Sequence, residues 1–198
     1  YLATTSSDWS ASSVLDTTIV AGSTTPRTCK ATAGRAEVCN ATYGSTGWLG
    51  IASISITGGT HITQATVKLN DTYFNTAQYN TPAWRNLVMC QEVGHAFGLD
   101  HQDVVFDNPN LGTCMDYTND PSTNQHPNQH DYDQLQSIYA HLDSTTTLGM
   151  TTGSSRPTAG NSPASWGTRV EGSKASGHSV YVRDFGQGEK VYTFVAWA

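Results

Sequence analysis

Hydrophobic and polar positions divide the chain into stretches of different period. Trp9, Val14, Leu15, Ile19 and Val20 form a ragged helical stripe. Residues 1–28 are therefore expected to hold an opening strand and a first helix, with Asp8 as a candidate cap. Residues 48–56 alternate in part, Ile51, Ser53 and Ser55 against Ala52, Ile54 and Ile56, which reads as a strand. A turn at Thr57-Gly58-Gly59-Thr60 leads to a second strand over 61–70, with Ala65, Val67 and Leu69 on one face and Thr66 and Lys68 on the other. A polar loop containing Tyr73, Phe74 and Tyr79 follows. The period then becomes helical: Thr81 is placed as N-cap and Pro82 at the first position, and Trp84, Leu87, Val88, Gln91 and His95 share a face. Met89, Val93, Ala96 and Phe97 are apolar on the other side, so this helix is expected to be buried nearly all round. Asn128 with Asp131 resembles a capping box ahead of a closing helix marked by Tyr132, Leu135, Tyr139 and Leu142. Residues 144–163 are rich in Ser, Thr, Gly and Pro and read as a linker. Residues 179–185 and 191–197 alternate around Gly186-Gln187-Gly188, which predicts a hairpin.

Composition narrows the class. The 198 residues suffice for one cored domain plus an appendage. Only 13% are charged, and abundant Gly, Ser, Thr and Asn suit a secreted, β-containing protein. A net charge of −6 argues against a nucleic-acid partner, which needs a basic face. No apolar run approaches the roughly 20 residues of a membrane span. The chain opens without Met and without a signal peptide, as a mature or trimmed form would.

The chemistry concentrates in Cys90-Gln91-Glu92-Val93-Gly94-His95-Ala96-Phe97-Gly98-Leu99-Asp100-His101. Gln91 and His95 share a helix face, Glu92 stands beside them, Gly98 stops the helix, and His101 returns three residues later. This is H-E-x-x-H-x-x-G-x-x-H with Gln91 in the first histidine's place. Cys114-Met115-Asp116-Tyr117 follows after a short loop. In this order the two motifs resemble the zinc-binding helix and Met-turn of the metzincin clan of zinc endopeptidases, and most of all its small secreted, matrixin-like actinobacterial members. The resemblance covers roughly residues 1–143.

It implies an α+β fold of metzincin type: a twisted, mostly parallel sheet with an antiparallel edge strand, an active-site helix, a Met-turn and a C-terminal helix. Residues 1–143 would be the catalytic domain, 144–163 a linker, and 164–198 a small β extension packed on the main domain. It further implies a secreted, monomeric zinc endopeptidase with Glu92 as general base and Met115 as a soft floor beneath the metal. Tyr117 would ligate the metal or stabilise the oxyanion; the alternative is a packed tyrosine with a satisfied hydroxyl. A peptide or protein substrate would lie along 61–70 as the edge strand, although Lys68 there equally suits a device against aggregation. A structural calcium is compatible with the resemblance, drawing on Asp and Asn oxygens between 103 and 120, without a regular calcium-loop spacing.

His95 and His101 are the expected metal nitrogens. Gln91 is the first candidate for third ligand through its amide oxygen, a weaker donor than imidazole. Asp100, Asp103, His61 or an extra water are the alternatives, and His126, His130 and His141 read as surface or cap residues. Four cysteines allow three full pairings. Cys29–Cys39, bracketing a short loop, and Cys90–Cys114, tying the motif helix to the Met-turn, are expected, with buried free thiols as the alternative. Two other functions compete with the peptidase: a metzincin scaffold that only binds a peptide or protein, which Gln91 favours and Glu92 disfavours, and a different metal-dependent hydrolase with oxygen ligands.

Overall fold

The structure is a computed structural model that describes residues 1–143, 146 and 158–198. Its elements are α1 (Leu2–Trp9), β1 (Ala36–Ala41), β2 (Trp48–Thr57), β3 (His61–Asn70), α2 (Asp71–Phe74), α3 (Pro82–Ala96), α4 (Gln129–Ile138), β4 (Thr168–Ser173), β5 (His178–Gly186) and β6 (Glu189–Trp197). The strands form one six-stranded sheet in the order β1-β3-β2-β6-β5-β4. Only β1–β3 is parallel; β3–β2, β2–β6, β6–β5 and β5–β4 are antiparallel. The α+β class therefore holds, but the mostly parallel sheet does not. Two tight connections explain why: the turn between β2 and β3 and the Gly186–Gly188 turn between β5 and β6 can only join antiparallel strands.

The sheet separates two apolar layers. On one face Ala52, Ile54, Val67, Leu69 and Phe194 pack with Leu87, Val88 and Val93 of α3, Trp9 of α1 and Leu135 of α4. On the other, Trp48, Ile51, Tyr181, Val191 and Val195 pack with Ala159 and Trp166. This second layer explains why every residue from Trp48 to Ile56 is buried. It also encloses polar groups: Ser53 Oγ meets Thr193 Oγ1 at 3.2 Å, and Lys68 Nζ donates to Asn161 Oδ1 at 2.7 Å. Among the described residues no helix is long and apolar enough to cross a membrane.

Several local expectations correspond to what forms. The Thr81 hydroxyl accepts from Trp84 N with Pro82 beginning α3, and Asn128 and Asp131 make a reciprocal capping box on α4. Both cysteine pairs, Cys29–Cys39 and Cys90–Cys114, are joined. Others do not. The stripe from Trp9 to Val20 is helical only as far as Trp9; Val14 and Leu15 pack on the core from irregular chain, while Ile19 and Val20 are exposed. The Ser- and Thr-rich sequence after Trp9 offers hydroxyls that bond locally instead, Ser10 Oγ accepting from Thr17 N at 2.9 Å. Strand β3, expected at the edge, is interior, with β1 on one side and β2 on the other. Its backbone groups are already paired, so a peptide cannot add to it. The linker expected over 144–163 lies largely outside the described residues; within it Ala159 is buried in the second layer. The extension after 164 holds three strands and continues the sheet through β6.

Candidate active site

Helix α3 and the loops that follow it assemble the site. Gln91, Glu92 and His95 lie on α3, each 3% exposed or less. Gly98, at φ +92°, ends the helix in the left-handed region that glycine tolerates, and the chain returns to His101. The His95 and His101 rings meet edge to face, centroids 4.6 Å apart. His95 Nδ1 lies 2.8 Å from Leu99 O. A carbonyl only accepts, so Nδ1 carries the proton and Nε2 keeps its lone pair. Burial first, then the neighbouring His101, pushes the His95 pKa down to about 3, which keeps this ring neutral. Asp100 runs the other way: burial raises it, but hydrogen bonding to His101 and the charges of His101 and His95 carry it down to about 2. Its carboxylate accepts from His101 N at 2.8 Å, and its Oδ1 also lies 3.5 Å from His101 Nδ1.

The Met-turn sits beneath the helix. A Cβ on Gly94 would come within 2.5 Å of Met115 Sδ and 2.8 Å of Trp9, so only glycine lets the helix rest on that sulfur. The turn is fastened from several sides: Met115 N donates to Thr113 Oγ1 (3.0 Å), Thr113 Oγ1 donates to Asp131 in the α4 capping box, and Gln102 N donates to Met115 O (2.7 Å). Gln91 belongs to this scaffold, its Nε2 donating to Cys114 O at 3.0 Å. That leaves its amide oxygen as the only metal donor it can offer.

Glu92 projects toward β2, where a Cβ on Gly50 would meet its Oε1 at 2.6 Å. Both carboxylate oxygens are buried without a hydrogen-bond partner. The Ala52 amide lies near and offsets a little of the burial without closing a hydrogen bond. Burial raises the Glu92 pKa well above the ordinary carboxylate value.

One residue absent from the sequence reading completes the group. His178, the first residue of β5, is 3% exposed, and its ring lies 5.2 Å from that of His101 and 5.2 Å from that of Tyr117. Burial and then His101 lower its pKa. The available signal was a histidine opening an alternating strand, too weak to single out. Tyr117 packs over His101 at 5.3 Å and its hydroxyl donates to Gly177 O. Burial, and then the Glu92 charge, raise its pKa. Phe194 of β6 stacks on His95 at 4.3 Å and 7°. The C-terminal strands therefore lie over these histidines.

The remaining candidates stand elsewhere. His61, His141 and Asp143 form an exposed group, Asp143 Oδ1 lying 3.2 Å from His61 and 3.4 Å from His141. Among the described residues it is the only His, Cys or acidic trio with ligand atoms all within 4.8 Å of one another. His126 bonds Asp8 at 2.7 Å. Asp103 accepts from Val105 N and Asn108, and no acidic trio gathers between 103 and 120. A polar surface cavity of about 370 Å³ opens between Asp107–Asn110 and Thr118–Thr123; none of Glu92, His95 and His101 lines it.

His95 and His101 offer two buried imidazoles to a cation, but among the described residues no His, Cys or acidic trio that includes them has its ligand atoms all within 4.8 Å of one another. Comparison of the chain with protein-family models, curated proteins and solved structures gives no match.

Proposed function

We propose that the chain is a secreted zinc-dependent metalloendopeptidase of metzincin type. The observation that carries this reading is Glu92, a carboxylate buried without a hydrogen-bond partner on the same helix as His95, with His101 against His95 and the Met115 sulfur below Gly94. A structural core has no use for such a carboxylate; a general base does. Zinc, when bound by His95 and His101, would lower the pKa of its water to about 7 and polarise the scissile carbonyl. Glu92 takes the proton from the attacking water and delivers it to the leaving amine. Burial raises its pKa above the ordinary carboxylate value, which favours holding the proton it takes. Two disulfides suit an oxidising, extracellular setting. Because β3 is interior, strand addition of a peptide passes to an outer strand, β1 or β4.

A second reading is a metzincin-type scaffold that binds a protein or peptide without cutting it. The C-terminal strands over His95 and the use of the Gln91 amide on Cys114 O favour it. Chelator-sensitive hydrolysis of casein or a fluorogenic peptide, together with zinc content, separates the two. The peptidase reading expects turnover that Glu92→Ala abolishes; zinc-replete protein without turnover supports the scaffold.

A further inference from the structure

We infer that His61, His141 and Asp143 form a separate metal site, a surface clip for a divalent ion of the zinc class. The inference stands independently of the peptidase reading, because it uses none of the residues around His95.

Geometry carries it. Asp143 Oδ1 lies 3.2 Å from His61 Nδ1 and 3.4 Å from His141 Nε2, and the three ligand atoms all lie within 4.8 Å of one another. Donors about 2.0–2.2 Å from a tetrahedral ion stand about 3.3 Å from one another. Both measured separations are therefore those of neighbouring ligands around one metal. The two rings meet edge to face with centroids 5.7 Å apart, so the pair is not held by stacking, and the carboxylate is what both nitrogens face. Two imidazoles and one carboxylate suit zinc, copper or nickel, whereas calcium and magnesium take oxygen ligands.

The donors come from two parts of the chain that the fold holds in place. His61 opens β3 and pairs with Thr57 across the β2–β3 turn. His141 and Asp143 follow α4, whose end is anchored by the Tyr139 hydroxyl donating to Phe97 O at 2.9 Å and by Ile138 packed on the core. An ion here pins the exit of α4 to the β2–β3 turn. All three side chains are about half exposed, so the ion exchanges with solvent and completes its sphere with water. The plainer alternative is two ordinary His–Asp ion pairs. Both separations exceed the roughly 2.7–2.9 Å of a charge-assisted hydrogen bond, and pairing both rings would set two imidazoliums side by side against a single carboxylate.

The test titrates the metal-free full chain with Zn²⁺ by isothermal calorimetry, with near-UV circular dichroism to confirm folding. His61→Ala and His141→Ala should each weaken one zinc site by at least about 10–100-fold, the loss that changes outside the ligand sphere already cause. Asp143→Asn should weaken the same site. His126→Ala and His130→Ala, at exposed histidines outside the trio, should leave it unchanged. Zinc should also raise the melting temperature of wild type by more than that of His61→Ala, since only the folded chain brings the three donors together. Wild-type zinc affinity and an equal melting shift in His61→Ala and His141→Ala would overturn the site, as would equal losses in His126→Ala and His130→Ala, which would mean scattered surface binding. Zinc lost in His95→Ala and His101→Ala but kept in His61→Ala and His141→Ala would overturn the clip and leave the peptidase reading standing. The reverse pattern would support the clip and count against zinc at His95. Wild-type protein that binds no zinc would overturn both.

Discussion

Both oxygens of Glu92 are buried without a hydrogen-bond partner while Gly50 presses on one of them, so the carboxylate is costly to the fold in the absence of a cation. Glu92→Gln keeps the shape and removes the charge. The metal-free variant should be more stable than wild type at pH 7, by about 1–3 kcal/mol, with turnover lost. Urea midpoints of chelated proteins check this, and a lower midpoint for the variant would show that the carboxylate has favourable partners. Lys68 gives a second residue-scale prediction. Burial lowers its pKa to about 8. Folded Lys68 thus binds fewer protons than the unfolded chain between about pH 8 and its ordinary value near 10.4. Stability should therefore rise with pH across that window, by about 3 kcal/mol at most, because the cost of burying the ammonium is present below pH 8 and relieved above it. Lys68→Met should flatten the rise in urea midpoint. The motif spacing made Glu92, His95, His101 and Met115 legible in the sequence, since helix geometry and a short return loop fix their neighbourhood locally. His178 was not legible, because only strand pairing far along the chain carries it to His101.

Elements with their own start and stop signals could be read closely. Helix α3 begins at the Thr81 cap and Pro82, and α4 at the Asn128–Asp131 box. Strands β2 and β3 follow their alternation. The short strands β1 and β4 escaped notice, β4 because Thr168 to Glu171 are exposed and show no inward pattern. Helix α3 crosses β2 and rests on the Met-turn at close range, and glycine makes both approaches possible. Gly50→Ala would place a Cβ 2.6 Å from Val88 and from Glu92 Oε1. It should cost about 1–3 kcal/mol through overpacking and reduce turnover further by displacing the general base. Gly94→Ala should cost a similar amount against Met115 and Trp9 while leaving Glu92 in place. Thermal melts together with turnover distinguish them: a kcat deficit in Gly50→Ala no larger than in Gly94→Ala would count against β2 as the element that aims Glu92.

For the whole molecule, one long-range pairing decides how the chain divides. Strand β6 runs antiparallel to β2 from Trp48–Trp197 to Ile56–Lys190, placing the C-terminal strands inside the sheet. No local pattern states this; the alternation of residues 191–197 foretold a strand without naming its neighbour. The consequence is that residues 1–143 are not expected to stand alone as a domain. Removing 144–198 takes Phe194, Val180 and Ala196 from the core and leaves β2 with an open, apolar edge of ten residues. Losing a buried phenylalanine side chain alone costs about 3–5 kcal/mol, against net stabilities of about 5–15 kcal/mol. The truncated chain should therefore aggregate or melt without a sharp transition, by size-exclusion chromatography and near-UV circular dichroism, even with both disulfides formed. A monomeric, cooperatively melting 1–143 fragment would instead mean that β6 is an accessory strand. The covering of His95 by Phe194 would then be a removable lid.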